Sequence, residues 1–167
     1  VFHFKNEYER SNENIIDGNK IRAPMLKINT IAAGGGSIIN FDNHKIIVGP
    51  KSAGANPGPA CYGLGGPPTI TDCNLILGRI QSSNLPNIFG KSGKDKLNIN
   101  LSKIALNKIT KKIYRYTGKK ISLFELAEGS LNIAIENMSN AIKKISIEKG
   151  HDIKNHVLVG YGAAAGQ

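Results

Sequence analysis

Between Gly49 and Pro68 the chain carries eleven glycines and prolines, and no regular element survives that density. Proline fixes φ and withholds a backbone donor, while glycine removes the side chain that would hold one conformation, so the run is neither helix nor central strand. Its core, VGPKSAGANPGPACYGLGG at positions 48–66, also interleaves Ala, Cys and Tyr with a single charge, Lys51. Disordered linkers are polar and charged, so this composition predicts an ordered loop instead. Ordered loops of this length carry function. The fold therefore has to present a long, irregular and nearly uncharged segment.

The elements around that loop follow from spacing. Residues 1–4 and 25–31 read as short strands, the second from the alternation of Leu26, Ile28 and Thr30 with Lys27 and Asn29. Asp17-Gly18 marks a turn between them. Residues 37–41 and 45–48 are β-favouring runs separated by Asp42-Asn43-His44, the pattern of a hairpin. Residues 69–80 continue as a short apolar helix or turn that Gly78 can end.

Two longer helices are predicted downstream. From Leu101, the residues Ile104, Ala105, Ile109 and Ile113 recur at helical spacing until Gly118. Ser122 and Glu125 form a capping box, and Phe124, Ala127, Leu131, Ala134, Ile135, Met138, Ala141, Ile142 and Ile145 then predict one apolar face running to Gly150. Residues 156–161 (HVLVGY) have the composition of a buried strand and lead into a second small-residue loop, Gly162-Ala163-Ala164-Ala165-Gly166-Gln167. Both small-residue loops, at 34–37 and 162–166, follow predicted strands, which is where open α/β sheets place their ligands.

At 167 residues the chain has the length of one domain. Its net charge of +10 raises the question of a polyanion partner, but the lysines are scattered from Lys5 to Lys154 and the densest group surrounds a predicted amphipathic helix. Few aromatics and no Trp further weaken a nucleic-acid reading. Cys61 and Cys73 show no zinc spacing and read as reduced thiols, and the absence of a long apolar run or leader pattern predicts a cytoplasmic protein without a membrane span.

Several residues could carry chemistry. Gly34, Gly35, Gly36 and Ser37 could converge backbone N–H groups on an anion, or form a plain tight turn. Gly162, Ala163, Ala164, Ala165 and Gly166 could let an adenosine lie against the backbone, or serve close helix–strand packing. Asp72 could bind a metal or orient a water, or cap the next turn. Cys61 could be a nucleophile, or simply be buried. His3, His44, His151 and His156 lack ligand spacing along the sequence.

Four ordered segments then give the chain a family resemblance: APMLKINTIAAGGGSI at 23–38, the stretch from 48 to 80, LPNIFG at 85–90, and KGHDIKNHVLVGYGAAAGQ at 149–167. Together they resemble the hydantoinase/5-oxoprolinase family over nearly the whole chain, and its 5-oxoprolinase members most. The resemblance implies an α/β fold of the actin/Hsp70/sugar-kinase (ribonuclease H-like) type and an ATP- and Mg²⁺-dependent hydrolysis of 5-oxo-L-proline to L-glutamate. By position, Gly34–Ser37 match the family's AGGGS loop, Asp72 and Asn74 its TDAN segment, and Gly162, Ala164, Gly166 and Gln167 its GGAGGQ loop. This implies catalytic roles for Asp72 and Asn74, Mg²⁺ at Asp72, and nucleotide contacts at the two small-residue loops. Ala163 and Ala165 stand where the pattern has Gly, and Cys73 where it has Ala. No counterpart of the family's opening phosphate loop is present, so the resemblance implies a single partial domain (1–167), inactive alone, whose partner is the rest of the enzyme. Hydantoinase-like and acetone-carboxylase-like subunits are the neighbouring readings. A remnant that only self-associates or binds a partner is the reading from outside catalysis.

Overall fold

The computed structural model describes residues 1–16 and 18–160. Contacts divide the chain into two compact units, one of residues 1–31 with 138–158 and one built mainly of residues 32–137.

The first unit begins with three small antiparallel pairs. β1 (Phe4–Lys5) pairs with β2 (Glu7–Tyr8), β3 (Arg10–Ser11) with β6 (Met25–Leu26), and β4 (Asn14–Ile16) with β5 (Asn19–Ile21). The predicted strand at 25–31 stops at Leu26, because an alternating run forms a strand only as far as a partner ladder extends and β3 is two residues long. The predicted strand at 1–4 likewise shrinks to β1. Gly18 takes the left-handed conformation at the predicted turn, while Asp17 lies outside the described residues.

The second unit is built on the expected hairpin, β7 (Ser37–Phe41) with β8 (Ile46–Ser52). Asp42 closes its turn by accepting from the amides of His44 and Lys45 at 3.0 and 2.8 Å. Three helices follow: α1 (Ile70–Ile76), α2 (Ile99–Thr117) and α3 (Leu123–Ile145). Asn98 caps α2 by accepting from the Asn100 and Leu101 amides, and Gly118 ends it in the left-handed region. At α3 the predicted capping box forms: Ser122 N–H donates to Glu125 at 2.6 Å, and Glu125 N–H donates to the Ser122 hydroxyl at 3.1 Å. The core gathers Ile39, Phe41 and Val48 of the hairpin, Ile70 and Ile76 of α1, Leu106, Ile109 and Ile113 of α2, and Leu126, Leu131 and Ala134 of α3.

Helix phases depart from the sequence reading in two places. Along α2, Ser102 and Leu106 are buried while Ile104 is exposed, because Ser102 is drawn inward as a hydrogen-bond donor to α1. Along α3 the buried stripe is narrower than expected: Ala127, Leu131, Ala134, Ala141 and Ile145 are buried, whereas Phe124, Ile135 and Met138 are exposed. The helix also ends at Ile145 rather than at Gly150. Ser146 leaves helical geometry with its hydroxyl donating to the Ile142 carbonyl, and a single 3₁₀ turn (Ile147–Lys149) carries the chain on to Gly150.

The predicted buried strand at 156–161 is corrected as far as it is described. Residues 156–160 form no strand, and Val157, Leu158 and Val159 are exposed. A strand needs a neighbour to take its backbone hydrogen bonds, and none among the described residues does so. The small sheets and long helices make the chain mixed α/β. Among the described residues, no helix is long and apolar enough to cross a membrane.

Candidate functional site

The Gly/Pro segment is an ordered loop, and Asp72 is what orders it. Asp72 sits in the first turn of α1 and is fully buried. Its two carboxylate oxygens accept from five donors. The amides of Ala60 (3.2 Å), Cys61 (2.9 Å) and Thr69 (2.8 Å) and the hydroxyls of Thr69 (3.1 Å) and Ser102 (2.6 Å) all point at it. One buried charge thus holds together the 3₁₀ turn of the loop (Ala60–Tyr62), the start of α1 and the first turn of α2. Asp72 also caps its own helix through Thr69, the arrangement that its position three residues into α1 favours.

Two glycines make the loop possible for reasons of space. A side chain at Gly58, which has φ +72°, would strike the Tyr62 ring, and one at Gly66 would fall on the Gly58 carbonyl. Aromatic packing continues outward, with Tyr62 and Phe89 4.8 Å apart between ring centres. Beside them lies a hollow of about 330 Å³ lined in part by Tyr62, Gly63, Gly90, Lys91, Asp95 and Lys96. Two ammonium groups and one carboxylate thus border a space of small-molecule size.

The first small-residue loop is brought to the same place. Thr71 N–H donates to the Gly35 carbonyl at 2.9 Å, so the loop at 34–37 rests on the N-terminal turn of α1, one residue from Asp72. Ala53 N–H donates to the Gly36 carbonyl at 2.9 Å and ties the other side of the loop to the segment that follows β8. Within the loop, Gly34 N–H donates to the Ser37 hydroxyl and Ser37 N–H to the Gly34 carbonyl, both at 3.0 Å. Two of the amides that could have faced an anion therefore close a turn. Gly34 itself is exposed, and a side chain added there would meet open space.

Asn74 is buried in α1, and its carbonyl accepts from the Arg79 and Ile80 amides as the helix ends. Gly162, Ala163, Ala164, Ala165, Gly166 and Gln167 lie outside the described residues. Cys61 and Cys73 are fully buried on either side of Asp72 in the sequence. Burial, and then the neighbouring Asp72 carboxylate, pushes the Cys73 thiol up to about 12 and the Cys61 thiol further still. Neither is a thiolate at neutral pH, so the nucleophile reading of Cys61 falls.

One group escaped the sequence reading altogether. His3 and His151, 148 positions apart, lie with Glu9 in the first unit, with one potential ligand atom from each residue within 4.8 Å of the others. No spacing rule could find it, because the chain brings the two imidazoles together only through β1, β2 and the turn after α3.

Comparison with known proteins extends this picture. The family described as Hydantoinase/oxoprolinase matches residues 1–167. The chain is 41% identical over 167 residues to the 5-oxoprolinase PfmaA of Pestalotiopsis fici, covering 100% of this chain and 13% of that protein. It is 39% identical over 173 residues to 5-oxoprolinase 1 of Arabidopsis thaliana, covering 100% and 14%. Caprolactamase subunit alpha of Pseudomonas jessenii is 41% identical over 149 residues, covering 88% and 20%. The chain thus spans only a small part of the length of these relatives. Among solved structures, a nucleotide-free acetone carboxylase, from a study of ATP-dependent acetone carboxylation, superposes with a TM-score of 0.68 at 25% identity, covering 87% of this chain and 19% of that one.

Proposed function

The chain belongs to the hydantoinase/oxoprolinase family, and from that premise we propose that it supplies part of the substrate- and ATP-binding region of a 5-oxoprolinase-type enzyme. The observation that carries this reading is the junction at α1. A single helical turn joins the glycine loop, through Thr71 and Gly35, to the Gly/Pro loop, through Asp72, Ala60 and Cys61. Two of the segments that carry the family resemblance are thereby held against each other, as a shared site requires.

A five-membered lactam is a poor electrophile, and ATP, when bound, supplies the phosphoryl group that turns the amide oxygen into a leaving group. Exposed Gly34, with open space above its Cα, suits the approach of a phosphate chain to the loop at 34–37. Lys91 and Lys96 beside the hollow suit the carboxylate of 5-oxoproline, and Tyr62 gives its ring an apolar wall. Mg²⁺ does not fit Asp72 as arranged here. All five neighbouring donors point at its carboxylate and the group is shut from solvent, so we assign it the positioning of both loops and route no step through a metal there. Asn74, equally buried, is assigned to the same support.

The resemblance to a protein named as a caprolactamase subunit supports a partner chain, or the remainder of the same polypeptide, completing the site. The reading extends to an actin-like arrangement of the complete domain, built with that remainder, and to a cytoplasmic location, which two free, buried cysteines suit. A lactam larger than 5-oxoproline is the second reading, favoured by the same caprolactamase relative.

A chimera tests the proposal. When this chain replaces the matching segment of the Arabidopsis 5-oxoprolinase, ATP-dependent release of glutamate from 5-oxoproline should persist, while the purified 167-residue chain alone should release none. A folded chimera that hydrolyses neither 5-oxoproline nor caprolactam would sink the reading.

A further inference from the structure

From the residues at the start and end of the first unit, we infer that His3, Glu9 and His151 form a binding site for a first-row divalent transition cation. This goes beyond the enzymatic reading and does not depend on it.

The inference follows from a chain of hydrogen bonds that fixes which atoms carry protons. His156 Nδ1 lies 2.8 Å from the Asp152 carbonyl, which can only accept, so Nδ1 carries the proton and the neutral ring leaves Nε2 as an acceptor. His3 Nε2 lies 2.8 Å from that Nε2 and must donate to it. In the neutral His3 ring, Nδ1 is then a bare lone pair, and it faces Glu9 Oε1 at 3.8 Å. His151 Nε2 faces the same oxygen at 3.9 Å. Glu9 Oε2 is occupied on its other side by Lys149 Nζ at 2.8 Å, with Lys27 Nζ at 3.8 Å. A carboxylate oxygen and an imidazole lone pair that face each other across nearly 4 Å repel unless a cation lies between them.

Two imidazoles and one carboxylate are a set that suits zinc and its first-row neighbours, with an open position left for water. Adjacent ligand atoms around tetrahedral zinc stand about 3.3 Å apart, from bond lengths of about 2.0–2.1 Å, so closure on an ion needs the atoms, now within 4.8 Å of one another, to draw together and the stacked His3 and His151 rings, 19° apart in plane, to turn so that their lone pairs converge. The arrangement also has an outer shell. His156 orients His3, and Lys149 orients Glu9, as outer partners do in built metal centres. The two ammonium groups set the expected affinity below that of an isolated triad. The ion would clasp residues 3–9 to the turn after α3.

Titration of the metal-stripped chain with Zn²⁺ by calorimetry, and with Co²⁺ by visible absorption, tests the site. One ion per chain and the intense d–d bands of low-coordinate cobalt are expected. Glu9→Gln and His151→Ala, each checked for fold by circular dichroism, should weaken binding more than the roughly 10–100-fold typical of losing an outer-shell partner, while His44→Ala changes nothing. Absence of stoichiometric binding, binding that survives both variants, or a sulfur-to-cobalt charge-transfer band from Cys61 or Cys73 would each overturn the inference.

Discussion

Asp72 receives five donors on its two oxygens in the second unit, whereas Glu9 of the first unit commits one oxygen to Lys149 and Lys27 and leaves the other facing two imidazoles. The functional group is the same, and the number of donors around it separates the two uses. A carboxylate shut from solvent and ringed by donors fixes the backbone around it and has little left for a ligand. One with an oxygen facing acceptors fixes little by itself and is available for an ion. Resemblance by position implies Asp72 as a metal ligand, whereas the proposed cation site draws on three residues that no single motif contains.

Removing the first carboxylate should have the largest effect. Asp72→Ala strands the buried amides of Cys61 and Thr69 and leaves that of Ala60 only the Pro67 carbonyl, and at about 1–3 kcal/mol for each unsatisfied group the loss should reach at least about 2 kcal/mol in urea unfolding, or abolish folding. A loss below about 1 kcal/mol would mean that water enters and replaces the carboxylate.

An intermediate effect is expected at an exposed carboxylate with two donors. The backbone N–H of Ser122, and then its side chain, hold Glu125 below the usual glutamate range. A folded pKa below the unfolded one contributes stability that is present above the unfolded value and disappears as pH falls through the folded value. The difference between the wild-type chain and Glu125→Gln should therefore be largest near neutrality and close under acid, as followed by thermal melts across that range. A difference that grows on acidification would refute the assignment.

The smallest effect is predicted at Glu9. Without metal, Glu9→Gln should cost about 0–1 kcal/mol, as part-exposed ion pairs do, measured by the same urea unfolding. With Zn²⁺ present, the wild-type chain alone should gain stability that rises with the logarithm of metal concentration above the Kd. If the metal-free variant is as damaged as Asp72→Ala, the contrast between the two carboxylates fails.

What the sequence made legible was local. The hairpin at 37–52, the end of α2 at Gly118 and the capping box at Ser122 follow from turn residues, caps and spacing within a few positions of one another. Ser102 could not be identified as buried, because its partner Asp72 lies thirty positions away and overrides the apolar phase that favoured Ile104. Residues 156–160 carried a strand's composition without a described neighbour to pair with. Of the expected site residues, the loop at 34–37 and Asp72 are brought close by the Thr71–Gly35 hydrogen bond, between residues thirty-six positions apart. The sequence could not reveal that five donors converge on that carboxylate, since three of them, the Ala60 and Cys61 amides and the Ser102 hydroxyl, come from residues made adjacent only by folding.

Cys61 and Cys73 have a practical corollary. Both thiols are sealed from solvent and held protonated far above neutral pH. A cysteine introduced at an exposed position, such as Ile104 on the outer side of α2, would outcompete both natural thiols for maleimide. Fluorescent or spin probes can thus be attached at one chosen point while the native sequence around Asp72 stays intact.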